Sequence, residues 1–187
     1  MTSGAPGARA SGRSALVLTA SDRGAAGERE DSSGGAVEAR LGALGFAVER
    51  TVVPDDRPTI EEALKAAAGH KDLIITTGGT GLTPRDVTPQ ATLAVVDYEV
   101  PGLAEAMRAE GRRHTPMADL SRAVVGVRER TLIVNLPGSP KGAMESLEAI
   151  VPVLDHALET LAGPHDHGAA GSGPADPRAV ALPDELE

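Results

Sequence analysis

The sequence predicts an α/β fold of three layers, with a mostly parallel central sheet between helices. Three observations predict it. Short apolar runs alternate along the chain with segments of helical period, the pattern of successive βαβ units. The polar, glycine-rich segments each follow one of those apolar runs, as ligand-binding turns do in open α/β sheets. With 187 residues and 41% hydrophobic content, the chain can bury one sizeable core, and its length makes a second full domain improbable.

Taken in order, Ala15 to Thr19 (ALVLT) reads as a buried strand. Asp31-Ser32-Ser33 offers an N-cap for a helix carrying Val37, Leu41 and Leu44 on one face, and Gly45 stops it. Phe46 to Val53 is the second strand, ending at Pro54; Thr59 and Glu62 form a capping box for a helix bearing Ile60, Ala63, Leu64 and Ala67. Asp72 to Thr77 (DLIITT) is the third strand and runs straight into Gly78-Gly79-Thr80-Gly81. Thr88-Pro89 reads as an N-cap with proline at the first helical position, opening a helix to about Val96; another covers Leu103 to Arg113. After a loop at Thr115 to Leu120, Thr131 to Asn135 (TLIVN) is a further buried strand. The turn Leu136-Pro137-Gly138-Ser139-Pro140 leads to a last helix, Ala143 to Leu161, with Leu147, Ile150, Val151, Leu154 and Leu158 on its buried side.

One domain over residues 14–162 is therefore expected between two tails. Residues 1–13 are rich in Gly, Ala and Ser, and residues 163–187 in Gly, Pro and Asp, without apolar periodicity, so both are read as disordered. The second tail is acidic, with Asp166, Asp176, Asp184, Glu185 and Glu187 against Arg178. The absence of cysteine excludes a disulfide framework, a thiolate metal site and a Cys nucleophile, and fits a reducing cytoplasm. No run reaches the roughly 20 apolar residues of a membrane helix, and the start lacks a signal core, so the expectation is a cytoplasmic protein without a membrane partner. A net charge of −9, with Phe46 and Tyr98 the only aromatic residues, argues against nucleic acid.

If the sheet is parallel, four polar segments converge on one rim: Thr19-Ala20-Ser21-Asp22-Arg23, Pro54-Asp55-Asp56, Gly78 to Asp86, and Asn135 to Lys141. The Gly78, Gly79, Thr80, Gly81 loop lets backbone approach an anion and aim N–H groups at it, with the Thr80 hydroxyl as a further donor. Taken alone it reads first as an ordinary βα turn, and it has neither the Walker A nor the Rossmann spacing. Asp86, Asp55 and Asp56 read singly as turn or cap residues; together on one rim they suit Mg²⁺, which takes oxygen ligands and bridges carboxylates to phosphates. Ser139 and Lys141 precede the last helix, where its N-terminus and a cation favour an anion, or where a solvated lysine simply follows a cap. The histidines are scattered and make no metal set, and no serine stands in a nucleophile-elbow context.

Read together, these segments resemble the molybdopterin adenylyltransferase family, which includes the corresponding domain of gephyrin. The similarity is carried by Thr19 to Arg23, Asp31 to Gly34, Val53 to Asp56, TTGGTGLTPRDVTP from Thr76 to Pro89, Leu120-Ser121-Arg122, and NLPGSPKG from Asn135 to Gly142, spanning Ser14 to Leu161 in order. The resemblance implies a molybdopterin-binding-domain type of fold assembling as a homotrimer, with molybdopterin and ATP as substrates, Mg²⁺ as cofactor and a molybdenum-insertion protein as partner. It places the family's two essential carboxylates, catalytic and metal-holding, on Asp55 and Asp86. It places nucleotide and substrate contacts on Ser21, Asp22, Gly78 to Gly81, Ser121, Gly138, Ser139 and Lys141. The reaction implied is transfer of AMP from ATP to the molybdopterin phosphate. The alternative is a non-catalytic molybdopterin-binding or carrier module of the same fold; retention of both aspartates favours catalysis. A related domain of competence-type proteins is normally fused to a second domain, for which this length leaves no room.

Overall fold

The computed structural model describes residues 12–163, so the expected tails lie almost entirely outside the described residues. The chain runs β1 (Ser14–Ala20), α1 (Asp22–Ala25), α2 (Ser32–Ala43), β2 (Ala47–Val53), α3 (Arg57–Ala67) and β3 (Leu73–Thr77). It continues through α4 (Thr88–Leu93), β4 (Tyr98–Glu99), α5 (Pro101–Arg112), a 3-10 turn at Pro116–Leu120, β5 (Val125–Arg128), β6 (Thr131–Leu136) and α6 (Pro140–Ala162). One six-stranded sheet has the order β2-β1-β3-β6-β5-β4. The four strands β2, β1, β3 and β6 are parallel, and β5 and β4 add antiparallel pairings at one edge.

Alternate residues of the central strands feed two cores. Ala15, Val17, Leu73, Ile75, Leu132, Val134 and Leu136 point to the layer of α2, α5 and α6, where they meet Val37, Leu41, Met107, Leu147 and Ile150. Leu16, Leu18, Ile74 and Ile133 point the other way and pack on Ile60 and Leu64 of α3, Ala91 of α4 and Val95 just after it. Both faces of the sheet are thus covered, which is why these strands read as continuous apolar runs.

The strand order reverses between β1 and β3, because the chain leaves β1 for β2 on one side and returns to β3 on the other. Ligand crevices of open α/β sheets form at such a reversal, outside the carboxyl ends of the strands. Here that rim collects the turn after β1, the turn after β2, the glycine loop after β3 and the turn after β6.

Several local expectations are corrected. The cap of α3 is Asp56, whose carboxylate accepts from the Thr59 amide at 3.1 Å and the Thr59 hydroxyl at 2.6 Å, so Thr59 and Glu62 form no capping box. Helix α4 is shorter than expected and takes Val87 as its cap without a side-chain bond; Thr88 lies inside its first turn, fully buried. Ser139 caps α6 through the Gly142 amide, and that helix starts at Pro140 rather than Ala143. The loop at Thr115 to Leu120 contains the 3-10 turn. Strands β4 and β5 were not expected from the sequence. They are two and four residues long, too short for a periodic signal, and Gly126 within β5 further weakens it.

Candidate functional site

Two aspartates close the rim from opposite sides of the strand reversal. Asp55 follows β2 and is tied to Asp22 at the start of α1 by a reciprocal pair of bonds. The Asp22 amide donates to Asp55 Oδ2 at 3.0 Å, and the Asp55 amide donates to Asp22 Oδ1 at 3.0 Å. Asp86 ends the glycine loop, where its Oδ2 accepts from the Thr83 amide at 2.8 Å and the Thr83 hydroxyl at 2.7 Å. Burial pushes the Asp55 carboxyl above its ordinary value, and the negative charge of Asp86 pushes it further. Burial also pushes Asp86 up, but the Thr83 bonds, the Gly81 amide and the Arg122 guanidinium outweigh it and hold that carboxyl below its ordinary value. Arg85 crosses between the two sides and pairs with Asp22.

The glycine loop is shaped by contacts no side chain would tolerate. Gly78 and Gly79 have φ of +92° and +64°, a region that L-residues with a Cβ seldom occupy. A Cβ on Gly78 would sit 2.5 Å from the Ala20 carbonyl oxygen, and one on Gly138 would sit 3.1 Å from Gly78 Cα. The turns after β1, β3 and β6 therefore meet backbone to backbone, and that meeting separates two clefts. One, of about 290 Å³, has Thr80, Gly81, Pro137, Ser139 and Ser121 on its rim side and Ala104, Met107 and Ala123 as apolar walls. The other, of about 140 Å³, is lined by Ser21, Asp31, Ser32, Ser33, Gly78 and Gly138.

Three site serines use their oxygens on the backbone. Ser21 accepts from the Gly24 amide at 3.1 Å, Ser121 from the Ala123 amide at 3.3 Å and Ser139 from the Gly142 amide at 3.2 Å. Each oxygen is fixed in place while its own O–H proton stays available to donate. Thr80 is buried, and its carbonyl accepts from the Arg122 amide at 3.0 Å. Lys141 departs from the group. Its side chain is 81% exposed and reaches Glu145 Oε1 only at 3.8 Å; like Asp22, Asp55, Gly79 and Asp86, it lines neither cleft.

Residues 16–156 match the model of the family described as the probable molybdopterin binding domain. The chain belongs to that family. A molybdopterin adenylyltransferase of Helicobacter pylori is 42% identical over 154 residues, covering 79% of this chain and 86% of the relative. One of Escherichia coli is 41% identical over 139 residues, covering 72% and 71%. Among solved structures, MogA superposes with a TM-score of 0.77 at 48% identity, covering 80% of this chain and 99% of the other. The molybdopterin biosynthesis enzyme MoaB of Thermus thermophilus superposes with a TM-score of 0.74 at 54% identity, covering 81% and 97%. The protein CinA of Thermoplasma acidophilum, at 19% identity and a TM-score of 0.59, shares the fold alone.

Within this molybdopterin-binding domain, Asp55 and Asp86 fit a magnesium ion. Both donors are carboxylate oxygens, and the charge of Asp86 already raises Asp55, a repulsion that a cation between them relieves. Among the described residues no group of three or more His, Cys, Asp or Glu is set to hold a metal.

Sequence reasoning gave no site role to Arg122 or Asn135, and gave Asp31 only the N-cap of α2, where the structure places it. Arg122 clamps the loop, donating from Nε to the Gly81 carbonyl at 2.7 Å and from its guanidinium to the Asp86 carbonyl. Asn135, fully buried, donates to Thr76 Oγ1 at 2.9 Å and Thr92 Oγ1 at 2.8 Å and accepts from the Val124 amide at 3.2 Å, anchoring the segment that carries Ser121 and Arg122. Asp31 accepts from the Thr19 hydroxyl at 2.8 Å and the Gly34 amide at 2.8 Å and pairs with Arg50 at 3.2 Å, fixing the wall of the smaller cleft. Asp31 and Arg122 stand within the motif segments; a polar residue ending an apolar strand was the signal for Asn135.

Proposed function

We propose that the chain is a molybdopterin adenylyltransferase that transfers AMP from ATP to the terminal phosphate of molybdopterin and releases pyrophosphate. The observation that carries this reading is the pairing of Asp55 with Asp86 across the strand reversal, beside a glycine loop and an apolar-walled cleft. Relatives bearing that activity in their names span most of this chain.

A phosphate oxygen of molybdopterin attacks the α-phosphorus of ATP, the bond from that phosphorus to the bridging oxygen breaks, and pyrophosphate departs with the electron pair. The nucleophile is already an anion, so no strong general base is needed; the work is positioning and charge neutralisation. The Gly79 and Thr80 amides and the Thr80 hydroxyl receive phosphate oxygens, while the Gly78 amide is held by the Leu136 carbonyl at 3.2 Å and the Gly81 amide by Asp86. The Ser21, Ser121 and Ser139 hydroxyls, each fixed by an amide, donate to substrate oxygens without reorganising. Asp22 orients Asp55, and Thr83 orients Asp86. Asp55 and Asp86 would hold Mg²⁺, which supplies charge neutralisation across the triphosphate. Gly138 keeps the turn after β6 close to Gly78, and the mobile ammonium of Lys141 approaches anionic substrate from solvent. A homotrimer working in the cytoplasm completes the proposal; sedimentation tests the assembly.

The direct test follows pyrophosphate after molybdopterin is added to protein with Mg-ATP. Release that depends on the pterin and stops with a chelator is the expected result. Tight molybdopterin binding without pyrophosphate would overturn the reading in favour of a carrier.

A further inference from the structure

Glu145 plays no part in the phosphate chemistry, yet it lines the larger cleft. It sits in the second turn of α6 with its side chain only 20% exposed. The nearest nitrogens of neighbouring side chains are His114 Nδ1 at 3.6 Å and Lys141 Nζ at 3.8 Å, both beyond hydrogen-bond reach. A carboxylate is an acceptor only, with room for two parallel donors. Arg108, the other ionic group on this wall, directs Nη1 to the Ala123 carbonyl at 3.3 Å. Among the described residues Glu145 therefore lines the cleft within ion-pair distance of Lys141 but accepts no hydrogen bond.

We propose that Glu145 reads the 2-amino-4-oxopyrimidine edge of the pterin in the cleft between α5 and α6, an assignment that rests on the adenylyltransferase reading above. That edge presents two adjacent donors, the ring N3–H and the 2-amino group, at the spacing of the two carboxylate oxygens. The Watson–Crick edge of adenine presents one donor beside an acceptor nitrogen, which a carboxylate repels. Glu145 thus assigns the larger cleft to the pterin and against the adenine of ATP. Met107, Ala104, Ala123 and Pro137 supply apolar surface for a flat ring in a cleft of about 290 Å³. The same cleft includes Gly81, where a Cβ would come within 3.0 Å of Asp86 Oδ2, so the pterin's phosphate arm has a short path to the carboxylates.

The test uses the full chain, which has no tryptophan and one tyrosine, so pterin fluorescence is read with little protein background. Glu145→Gln keeps the shape but puts an amide donor against the pterin donors. It is expected to weaken molybdopterin binding at least tenfold while Mg-ATP binding stays within twofold; unchanged molybdopterin binding overturns the proposal. A second measurement needs no variant. In the wild type, 6-hydroxymethyllumazine, which carries oxygen in place of the 2-amino group, is expected to bind at least tenfold more weakly than 6-hydroxymethylpterin, and equal binding overturns the proposal. GMP carries the same edge on a purine, and displacement of the pterin by GMP at comparable concentration would overturn the assignment to a pterin. These are equilibrium readings, so a protein that binds the pterin through Glu145 but releases no pyrophosphate would sink the transferase reading while leaving this contact in place.

Discussion

The turn after β2 and the loop after β3 each bring one aspartate to the same rim, and the two are held in opposite ways. Asp86 is built as an anion: Thr83, the Gly81 amide and Arg122 keep its carboxyl below its ordinary value. Asp55 has one reciprocal bond with another acidic residue, and burial and the charge of Asp86 keep its carboxyl raised. One half of the site is thus preorganised without a cation, and the other half is completed by one. A single fold supplies both conditions because the β3 loop is rich in donors, whereas the turn after β2 faces a second carboxylate.

The largest expected effect lies on the preorganised side. Asp86→Asn should lower kcat by about 10² to 10³-fold, the range for removing one fixed charge-stabilising group, with the circular dichroism spectrum unchanged. Turnover within threefold of wild type would break the contrast. Asp55→Asn tests the other half through stability. A carboxyl raised in the folded state holds its proton longer than in the unfolded chain, so its contribution to stability falls as pH rises through the carboxylate range. Without Mg²⁺ at pH 7, Asp55→Asn should therefore melt no lower than wild type. Saturating Mg²⁺ should raise the wild-type Tm by on the order of 5 to 10 °C and leave the variant unmoved. A wild-type Tm indifferent to Mg²⁺ would remove the cation from the comparison. For Asp86 the sign is reversed: its lowered carboxyl adds stability above the carboxylate range, and that contribution disappears as pH falls through it.

Arg122 sharpens the contrast at intermediate size. Arg122→Ala removes two guanidinium bonds to the loop carbonyls, together roughly 3 kcal/mol at about 1.5 kcal/mol for each charged bond; with about half of that carried to the transition state it should cost about tenfold in turnover, with a raised Mg²⁺ requirement. Arg122→Lys should recover part of that loss, since charge returns without the fork. Recovery to wild-type turnover would show that charge alone sets the loop. The smallest effect belongs to Arg85, which joins the two halves through Asp22. Both side chains are largely exposed, and such pairs contribute about 0 to 1 kcal/mol. Arg85→Ala should change turnover by less than about threefold, with the difference fading as salt rises.

The parallel body of the sheet was legible because β1, β3 and β6 are covered on both faces and write their burial as unbroken apolar runs. The edge pair β4 and β5 was not, since Tyr98 and Glu99 are both exposed and carry no hydrophobic signature. At the site, Asp55, Asp86 and the glycines stood out by type and by position after strands. The opposite leanings of the two aspartates did not, because they arise from Thr83, the Gly81 amide and Arg122 on one side and from burial and the charge of Asp86 on the other, and only the folded rim brings those neighbours together. Cap placement failed for a related reason. Asp56 and Thr59 were both suitable, and the preference for Asp56 depends on how the chain leaves Val53.

The partition between the two clefts consists of peptide backbone at Gly78 and Gly138. Where Gly138 meets Gly78 no rotamer intervenes, so the interval between groups bound on the two sides follows the strands that carry the two turns. The partition works as a ruler whose length is written in the spacing of β3 and β6, and changes in packing elsewhere reach it only by moving whole strands.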